Sequence, residues 1–126
     1  MPTDIKGKII AIDFDATISK YDGFKGIGIF GEPITNAAWA IRKFREMGAI
    51  VVIHTCRREV NLIADYLTKH EIFFDYINFS PENKKQKLSD SKISADVYID
   101  DKGVSFRGDW KNTYFEVVNF VNWYKK

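Results

Sequence analysis

The sequence has little cysteine and no long hydrophobic run. Its single cysteine, Cys56, has no partner for an internal disulfide, which excludes a disulfide-built secreted domain and indicates a reducing compartment. No apolar stretch approaches the ~20 residues that a membrane-spanning helix needs. The first residues also lack the basic and apolar parts of a signal peptide. We therefore expect a cytoplasmic protein that makes no contact with a membrane.

An excess of charge of one sign is also missing. The chain carries 19 basic and 17 acidic residues, and a net charge of +2 does not by itself predict a nucleic-acid or membrane surface. Apolar residues are plentiful, because 45% of the 126 residues are hydrophobic and 15% are aromatic. This composition predicts one globular domain, residues 1–126, with a packed core. It does not predict an oligomeric state.

Apolar patterning predicts an alternation of strands and helices. The run from Ile9 to Thr17 predicts a buried strand that carries two carboxylates at its C-terminal end. Further strands are predicted over 49–54, 73–79 and 97–99, helices over 33–47 and 58–70, and a polar loop over 81–90. The fold class expected from this order is α/β, a doubly wound, three-layer Rossmann-like domain with a mainly parallel sheet.

The C-terminal quarter of the chain gives two further expectations. Residues 104–106 indicate a short additional strand. Asn112 or Thr113 is expected to cap a last helix. The apolar residues expected on the buried face of this helix are Phe115, Val118, Val121 and Tyr124.

Glycines punctuate the segment from Ser19 to Gly31, where they alternate with aromatic and aliphatic residues. This pattern predicts a compact loop with apolar anchors. The segment is too short for a domain of its own, so we expect no substantial cap domain over the end of the sheet.

Polar side chains follow three of the predicted strands. Asp13 and Asp15 end the first strand, Thr55 ends the second, and Asp100 and Asp101 end the last. Parallel strands bring their carboxyl ends to one edge of the sheet, where ligands bind in open α/β folds. Four carboxylates at one edge would repel each other unless a divalent cation lay among them. Hard oxygen ligands favour Mg²⁺, which is commonly shared with a substrate phosphate.

These residues form a pattern that resembles the haloacid dehalogenase superfamily of phosphotransferases. The pattern comprises the sequence Asp13-Phe14-Asp15-Ala16-Thr17, Thr55 after an apolar strand, a lysine upstream of the last strand, and the pair Asp100-Asp101. All four motifs occur in order and cover most of the chain. Residues 92–102 are similar to the corresponding stretch of the 5'(3')-deoxyribonucleotidases, and the whole chain resembles small superfamily members without a cap. One departure is Ala16, where glycine is commoner in the superfamily.

The resemblance implies a role for each carboxylate. Asp13 would be the nucleophile that forms an aspartyl-phosphate. Asp15 would protonate the leaving oxygen and then activate water, while its backbone carbonyl faces the metal. Asp100 and Asp101 would hold Mg²⁺ directly or through water. The metal site expected from the resemblance therefore comprises Asp13, Asp15, Asp100 and Asp101.

The resemblance also implies groups that bind the transferring phosphoryl group. Thr55 would donate a hydrogen bond to it, and a lysine would neutralise its developing charge. Lys92 has the nucleotidase-like spacing before Asp100. The competing lysines are those of the predicted loop, Lys84, Lys85 and Lys87. Arg57 is a further candidate for contact with substrate phosphate, because an arginine fork just after the Thr55 strand suits an anion.

The expected function is that of a Mg²⁺-dependent phosphatase that hydrolyses a phosphomonoester through an aspartyl-phosphate. The favoured substrate is a nucleoside monophosphate or another small phosphorylated metabolite. Two alternatives stay open. The same chemistry could process phosphorylated nucleic-acid ends, with the loop lysines and Arg57 as phosphate contacts, or the chain could be a non-catalytic binding module that has kept the fold.

Overall fold

The computed structural model of the protein describes residues 4–81 and 93–125. Within these ranges the chain forms four strands, three α-helices and a short 3₁₀ helix. The strands are β1 (Ile9–Asp13), β2 (Ile50–His54), β3 (Tyr76–Ile77) and β4 (Val97–Ile99). The helices are α1 (Ala37–Glu46), α2 (Val60–Lys69) and α3 (Trp110–Val118), followed by the 3₁₀ helix Trp123–Lys125. No helix of the described ranges has the length and apolar character needed to cross a bilayer.

The four strands form one parallel sheet in the order β3-β2-β1-β4. From β1 the chain proceeds outward through β2 to β3 and then returns to the other side of β1 with β4. The strand order therefore reverses between β1 and β4, and such a reversal is where ligands bind in doubly wound sheets. This topology confirms the predicted α/β fold class, and the described residues contain no cap domain.

The central strand β1 is buried on both faces, as its continuous apolar run predicts. Ile10 and Ile12 face a core cluster that also contains Phe14 and residues of β2, α1 and α2. Ile9 and Ala11 face a smaller cluster with Val52 and Ile93. With apolar partners on both sides, β1 holds the carboxylate at its end, Asp13, in a fixed position.

Helix α1 starts at Ala37, four residues later than the pattern predicts. The residues before it are taken up by other contacts, because Ser19 forms an antiparallel bridge with Pro33 and the Ile34 N–H donates to the Ile18 carbonyl at 2.7 Å. Asn36 then adopts a left-handed conformation with φ 69°. Residues 33–35, which were predicted to start the helix, therefore belong to a loop that is hydrogen-bonded to residues 18 and 19.

Strand β3 has two residues, whereas the sequence predicts a strand over 73–79. Side chains replace the ladder at both of its ends. The Val51 N–H donates to the Asp75 carboxylate at 2.8 Å, and the Thr55 N–H donates to the Asn78 side-chain oxygen at 2.8 Å. These side chains compete with the backbone for hydrogen bonds, which ends the strand early.

The C-terminal quarter departs most from expectation. Residues 104–106 form no strand. Asp109, rather than Asn112 or Thr113, caps α3, since its carboxylate accepts from the N–H groups of residues 111 and 112. The predicted buried face is wrong as well. Phe115, Val118 and Val121 are 49–60% exposed, and Thr113 is the buried residue of α3. Helical periodicity indicates an apolar face but does not tell what packs against it.

Candidate active site

Three carboxylates converge where β1 and β4 end. The two strands are paired in parallel, with Ile12 opposite Ile99, so Asp13 and the Asp100-Asp101 pair emerge side by side. One carboxylate oxygen from each of the three lies within 4.8 Å of the others. Asp100 is exposed, whereas the side chain of Asp101 is 4% exposed. The sheet topology thus brings Asp13 next to two acidic groups that lie 87 and 88 positions later in the sequence.

The cluster has an excess of negative charge. Burial, then a hydrogen bond with Asp101 and the charges of Asp100 and Asp101, raises the pKa of Asp13 from 3.8 to about 8. Some compensation comes from residue 102, because its backbone N–H donates to the Asp100 carboxylate at 2.7 Å and its ammonium lies 3.9 Å from Asp101. That ammonium is largely exposed, so it screens the cluster weakly. Without a cation the cluster therefore favours the protonated form of Asp13.

The donor set fits a hard divalent cation. Three carboxylates supply oxygen atoms close enough to share one ion, and Mg²⁺ commonly takes one or two protein carboxylates with the rest of its shell from water and substrate. A cation at this position would also remove the repulsion that keeps a proton on Asp13. The residues that could hold it are Asp13, Asp100 and Asp101.

Asp15 lies apart from this cluster. We expected four carboxylates to converge, but the Asp15 carboxylate pairs with Arg57 through two hydrogen bonds, Nε to Oδ2 at 2.8 Å and Nη2 to Oδ1 at 3.1 Å. Such a bidentate pair fixes both the position and the orientation of a carboxylate. The Asp15 side chain is 24% exposed, so part of it remains accessible to solvent.

The guanidinium of Arg57, a predicted contact for substrate phosphate, has acceptors within the protein. A guanidinium has five N–H donors, and all five of Arg57 have acceptors in the protein. Two donate to Asp15, one to Glu59 at 3.1 Å, one to the Gly26 carbonyl at 3.4 Å and one to the Ile29 carbonyl at 3.5 Å. In this arrangement no donor is left for a substrate phosphate. The geometry makes Arg57 a positioning residue for Asp15.

Electrostatics agree with this position of Arg57. Burial disfavours its charge, but the hydrogen bonds and charges of Asp15 and Glu59 outweigh burial and raise the pKa of Arg57 above its ordinary value. The guanidinium also lies over two aromatic rings, 5.2 Å from the centre of Phe24 and 4.9 Å from that of Phe30. It remains a permanent cation beside the carboxylate.

Glu59 is a site residue that the sequence reasoning missed. Its carboxylate accepts from the Gly28 N–H at 2.9 Å as well as from Arg57. These contacts, chiefly the Gly28 hydrogen bond, hold the pKa of Glu59 below its ordinary value. Glu59 and Arg57 together tie the glycine-punctuated loop to the start of α2. An arginine two residues before a glutamate at a predicted helix start is a weak signal for such an anchor.

Thr55 follows β2 and is 8% exposed. Asn78 holds its backbone from both sides, because the Asn78 side-chain oxygen accepts from the Thr55 N–H at 2.8 Å and its amide donates to the Thr55 carbonyl at 3.0 Å. The Thr55 hydroxyl oxygen accepts from the backbone N–H of Arg57 at 3.1 Å, so the hydroxyl proton remains available to another acceptor. Asn78 is a second residue that sequence analysis missed.

The turn after Asp15 is held by a residue distant in the sequence. Ala16 has φ 63°, a left-handed conformation that glycine adopts more readily, which explains why glycine suits this position. The Trp123 indole N–H donates to the Ala16 carbonyl at 2.8 Å across 107 residues of sequence. The 3₁₀ helix that contains Trp123 thus contacts the motif directly.

The predicted phosphate-binding lysine, Lys92, lies outside the described residues. The same holds for its three competitors on the predicted loop, Lys84, Lys85 and Lys87. The assignment of a lysine to the phosphate therefore stays a prediction.

Two cavities border the site. One of about 580 Å³ lies against the sheet and is lined by residues that include Ala11, His54 and Asp100. A larger one of about 700 Å³ lies between the glycine-punctuated loop and the 3₁₀ helix, where Arg57 and Trp123 form part of its wall. Both volumes are in the range of ligand pockets.

Comparison with known proteins gives one informative similarity. No protein-family profile matches the chain, and no curated protein matches it. A solved structure of a conserved protein coded by a locus of Bacteroides thetaiotaomicron is similar, with a TM-score of 0.65 over 90% of this chain and 91% of that chain. The two sequences are 22% identical, so the similarity shows a shared fold.

Proposed function

We propose that the protein is a phosphatase that hydrolyses a phosphomonoester through an aspartyl-phosphate on Asp13, with Mg²⁺ as its cofactor. One observation carries the proposal. Oxygen atoms of Asp13, Asp100 and Asp101 lie within 4.8 Å of one another at the reversal of strand order, and Arg57 fixes the carboxylate of Asp15, two residues after Asp13, through a bidentate pair. Burial and then the neighbouring carboxylates raise the pKa of Asp13, so an ionised Asp13 is unfavourable there without a cation, and a bound divalent cation would offset this.

In the first step, a carboxylate oxygen of Asp13 attacks phosphorus and the bond to the leaving oxygen breaks, while Asp15, which enters the step protonated, gives that oxygen its proton. In the second step, Asp15 accepts a proton from water, the water oxygen attacks phosphorus, and the Asp13–phosphorus bond breaks. Phosphate leaves and both carboxylates return to their starting state. Mg²⁺ bound at the cluster would keep Asp13 ionised and shield it from the anionic phosphate.

The remaining side chains position these two carboxylates and the phosphoryl group. Arg57 fixes the position and orientation of the Asp15 carboxylate through two hydrogen bonds. The Thr55 hydroxyl, whose backbone Asn78 holds, has a proton to donate to a phosphoryl oxygen. Lys92 is the proposed cation for the developing charge, as the superfamily resemblance implies.

The test is phosphate release from a panel of nucleoside 5'- and 3'-monophosphates, sugar phosphates and phosphorylated oligonucleotides, with Mg²⁺ or with EDTA. We expect release that requires Mg²⁺ and that falls at least about 10³-fold in Asp13→Asn. Asp65→Asn is the matched control, because Asp65 is an exposed carboxylate on α2, away from the site. Equal rates in Asp13→Asn and the wild type would refute the nucleophile assignment.

The two alternatives are outcomes of the same panel. Action on phosphorylated nucleic-acid ends was expected to use the loop lysines, which lie outside the described residues, and Arg57, whose donors all have protein acceptors. No contact in the described ranges therefore favours it, and activity on oligonucleotides that falls steeply with salt would restore it. Release from no substrate by a folded, Mg²⁺-supplied protein would favour a binding module.

A further inference from the structure

The larger cavity has aromatic walls contributed by two separate parts of the chain. The glycine-punctuated loop supplies Tyr21 and Phe30, and the 3₁₀ helix supplies Trp123 and Tyr124. Its volume of about 700 Å³ suits a small organic group. Several aromatic rings in the lining of one cavity favour a flat aromatic ligand, because stacked and edge-on ring contacts add to the gain from burial.

The walls of this cavity contact the proposed general acid and the turn that follows it. Arg57 lines the cavity and donates two hydrogen bonds to Asp15. Trp123 also lines it and donates to the carbonyl of Ala16. A group in the cavity is therefore one side chain away from the carboxylate that would protonate a leaving oxygen. The smaller cavity instead reaches Asp100, on the side of the metal cluster.

The loop wall is rigidly attached. The Gly31 carbonyl accepts from the Tyr66 hydroxyl at 2.7 Å, and the Phe30 ring packs edge-on against Phe14 and Tyr66, with centroids 5.2 and 5.4 Å away. The Phe30 face of the cavity is thus continuous with the hydrophobic core. A preformed wall of this kind binds a ligand without the entropic cost of ordering a loop.

We propose that this cavity binds the leaving group of the phosphomonoester and selects leaving groups that contain a flat aromatic ring. In this arrangement the 3₁₀ helix Trp123–Lys125 does for specificity what a cap domain would otherwise do. The occupant is a leaving group only on the proposed phosphatase function, on which this part of the proposal rests. Binding of an aromatic ring in the cavity is measurable without turnover. The proposal assigns Trp123, Tyr124 and Tyr21 a role in substrate choice.

Binding is tested first, in EDTA, by tryptophan fluorescence. The chain has three tryptophans. Trp39 and Trp110 are 54% and 74% exposed, so replacing each with Phe should perturb the fold little. The double variant Trp39→Phe, Trp110→Phe then has Trp123 as its only fluorescent tryptophan. Adenosine, thymidine and phenyl phosphate are the ring-bearing probes, and ribose and ribose 5-phosphate are the ring-free ones. We expect saturable quenching by at least one ring-bearing probe and none by the ring-free ones. Absence of quenching by all ring-bearing probes would overturn the proposal.

Matched variants locate the binding. In the same reporter protein, Tyr124→Ala in the 3₁₀ helix and Tyr21→Ala in the glycine-punctuated loop should each weaken the binding of the ring-bearing probe roughly fivefold or more. Tyr114→Ala is the control, because Tyr114 is an exposed ring on α3 that does not line the cavity. Binding unchanged in both wall variants, or weakened equally in the control, would place the ligand elsewhere.

Turnover then separates this proposal from the proposed function. The ratio of kcat/KM for a nucleoside 5'-monophosphate to that for ribose 5-phosphate should exceed about tenfold and should fall in Tyr124→Ala but not in Tyr114→Ala. A ratio near one with Mg²⁺-dependent release would overturn ring selection and leave the phosphatase standing. Ring binding in EDTA without release from any substrate would leave the cavity as a ring-binding site and refute the phosphatase.

Discussion

Arg57 joins Asp15 through a bidentate pair, with Nε to Oδ2 at 2.8 Å and Nη2 to Oδ1 at 3.1 Å, and the Arg57 side chain is 6% exposed. The same guanidinium donates to the carbonyls of Gly26 and Ile29 on the glycine-punctuated loop. One side chain therefore fixes both the proposed general acid and the wall of the larger cavity. A substitution that removes the guanidinium of Arg57 should therefore disturb the position of Asp15 and the cavity wall together.

Arg57→Lys keeps the charge but removes the fork that makes these five contacts. We expect a loss of about 2–3 kcal/mol in the free energy of unfolding, since the pair is largely buried and both Asp15 and Glu59 lose a partner. Turnover should fall as well, because Asp15 is no longer held in one orientation. Urea unfolding and phosphate release measure the two effects.

The control for this substitution is Arg58→Lys, which changes an exposed neighbour. We expect the control to alter stability by less than about 0.5 kcal/mol. If Arg57→Lys behaves like Arg58→Lys in both measurements, Arg57 does not position Asp15.

Asn78 is expected to act through Thr55. Asn78→Gly removes both hydrogen bonds to the Thr55 backbone but tolerates the native φ of 54°, so it should cost about 1–3 kcal/mol of stability and reduce turnover. Asn78→Ala should cost roughly 1 kcal/mol more, because alanine is strained in the left-handed region. Denaturant unfolding and phosphate release of both variants check the order. Full turnover in Asn78→Gly would show that the position of Thr55 does not depend on Asn78.

The raised pKa of Asp13 predicts a stability that depends on pH. In the metal-free protein the folded state binds a proton up to about pH 8, whereas an ordinary Asp releases it near 3.8. Between these values the folded state holds more protons than the unfolded state, so stability should fall as the pH rises and level off above about 8. Mg²⁺ should restore stability at the alkaline end, because it binds the folded, ionised cluster.

Urea unfolding in EDTA across this pH range measures the effect, with Asp13→Asn and Asp65→Asn as a matched pair. Asp13→Asn should have a flatter pH profile than the wild type, since it cannot ionise, and Asp65→Asn should keep the wild-type slope. The same slope in all three proteins would mean that Asp13 is not the group that titrates.

Gly31 marks a close approach that a side chain would block. A Cβ at this position would overlap the backbone carbonyl oxygen of Lys20, whereas one at Gly103 would make an ordinary contact with Asp100. Gly31→Ala should therefore destabilise the fold by about 1–3 kcal/mol and displace the loop wall of the larger cavity. Gly103→Ala is the control for stability. Thermal unfolding compares them, and equal unfolding temperatures would show that the loop relaxes freely.

Sequence patterns located the carboxylates because the relevant information is local. Asp13 and Asp100 each directly follow an apolar strand, and the parallel arrangement implied by strand-helix alternation brings such ends together. The pattern also predicted Asp15 in the same cluster. The Asp15 carboxylate pairs with Arg57 instead, because the choice of partner depends on how the loop and α2 pack rather than on strand order. The contact expected between the backbone carbonyl of Asp15 and the metal stays a prediction.

Contacts between distant segments escaped prediction for a related reason. Trp123 donates to Ala16 across 107 residues, and Glu59 accepts from Gly28 across 31, and neither contact leaves a periodic pattern in the sequence. The exposed face of α3 is the converse case. Its apolar spacing is helical, but spacing alone does not say whether a neighbour covers that face.

The most direct test of the account is chemical trapping of the phosphorylated aspartate. An acyl phosphate is reduced by borohydride to an alcohol, so treating the protein with borohydride while it is incubated with substrate and Mg²⁺ should convert Asp13 to homoserine, which peptide mass spectrometry locates. We expect this change at Asp13 alone, absent without substrate, with EDTA and in Asp13→Asn. Mg²⁺-dependent phosphate release with no reduction at Asp13, or with reduction at another carboxylate, would contradict the account.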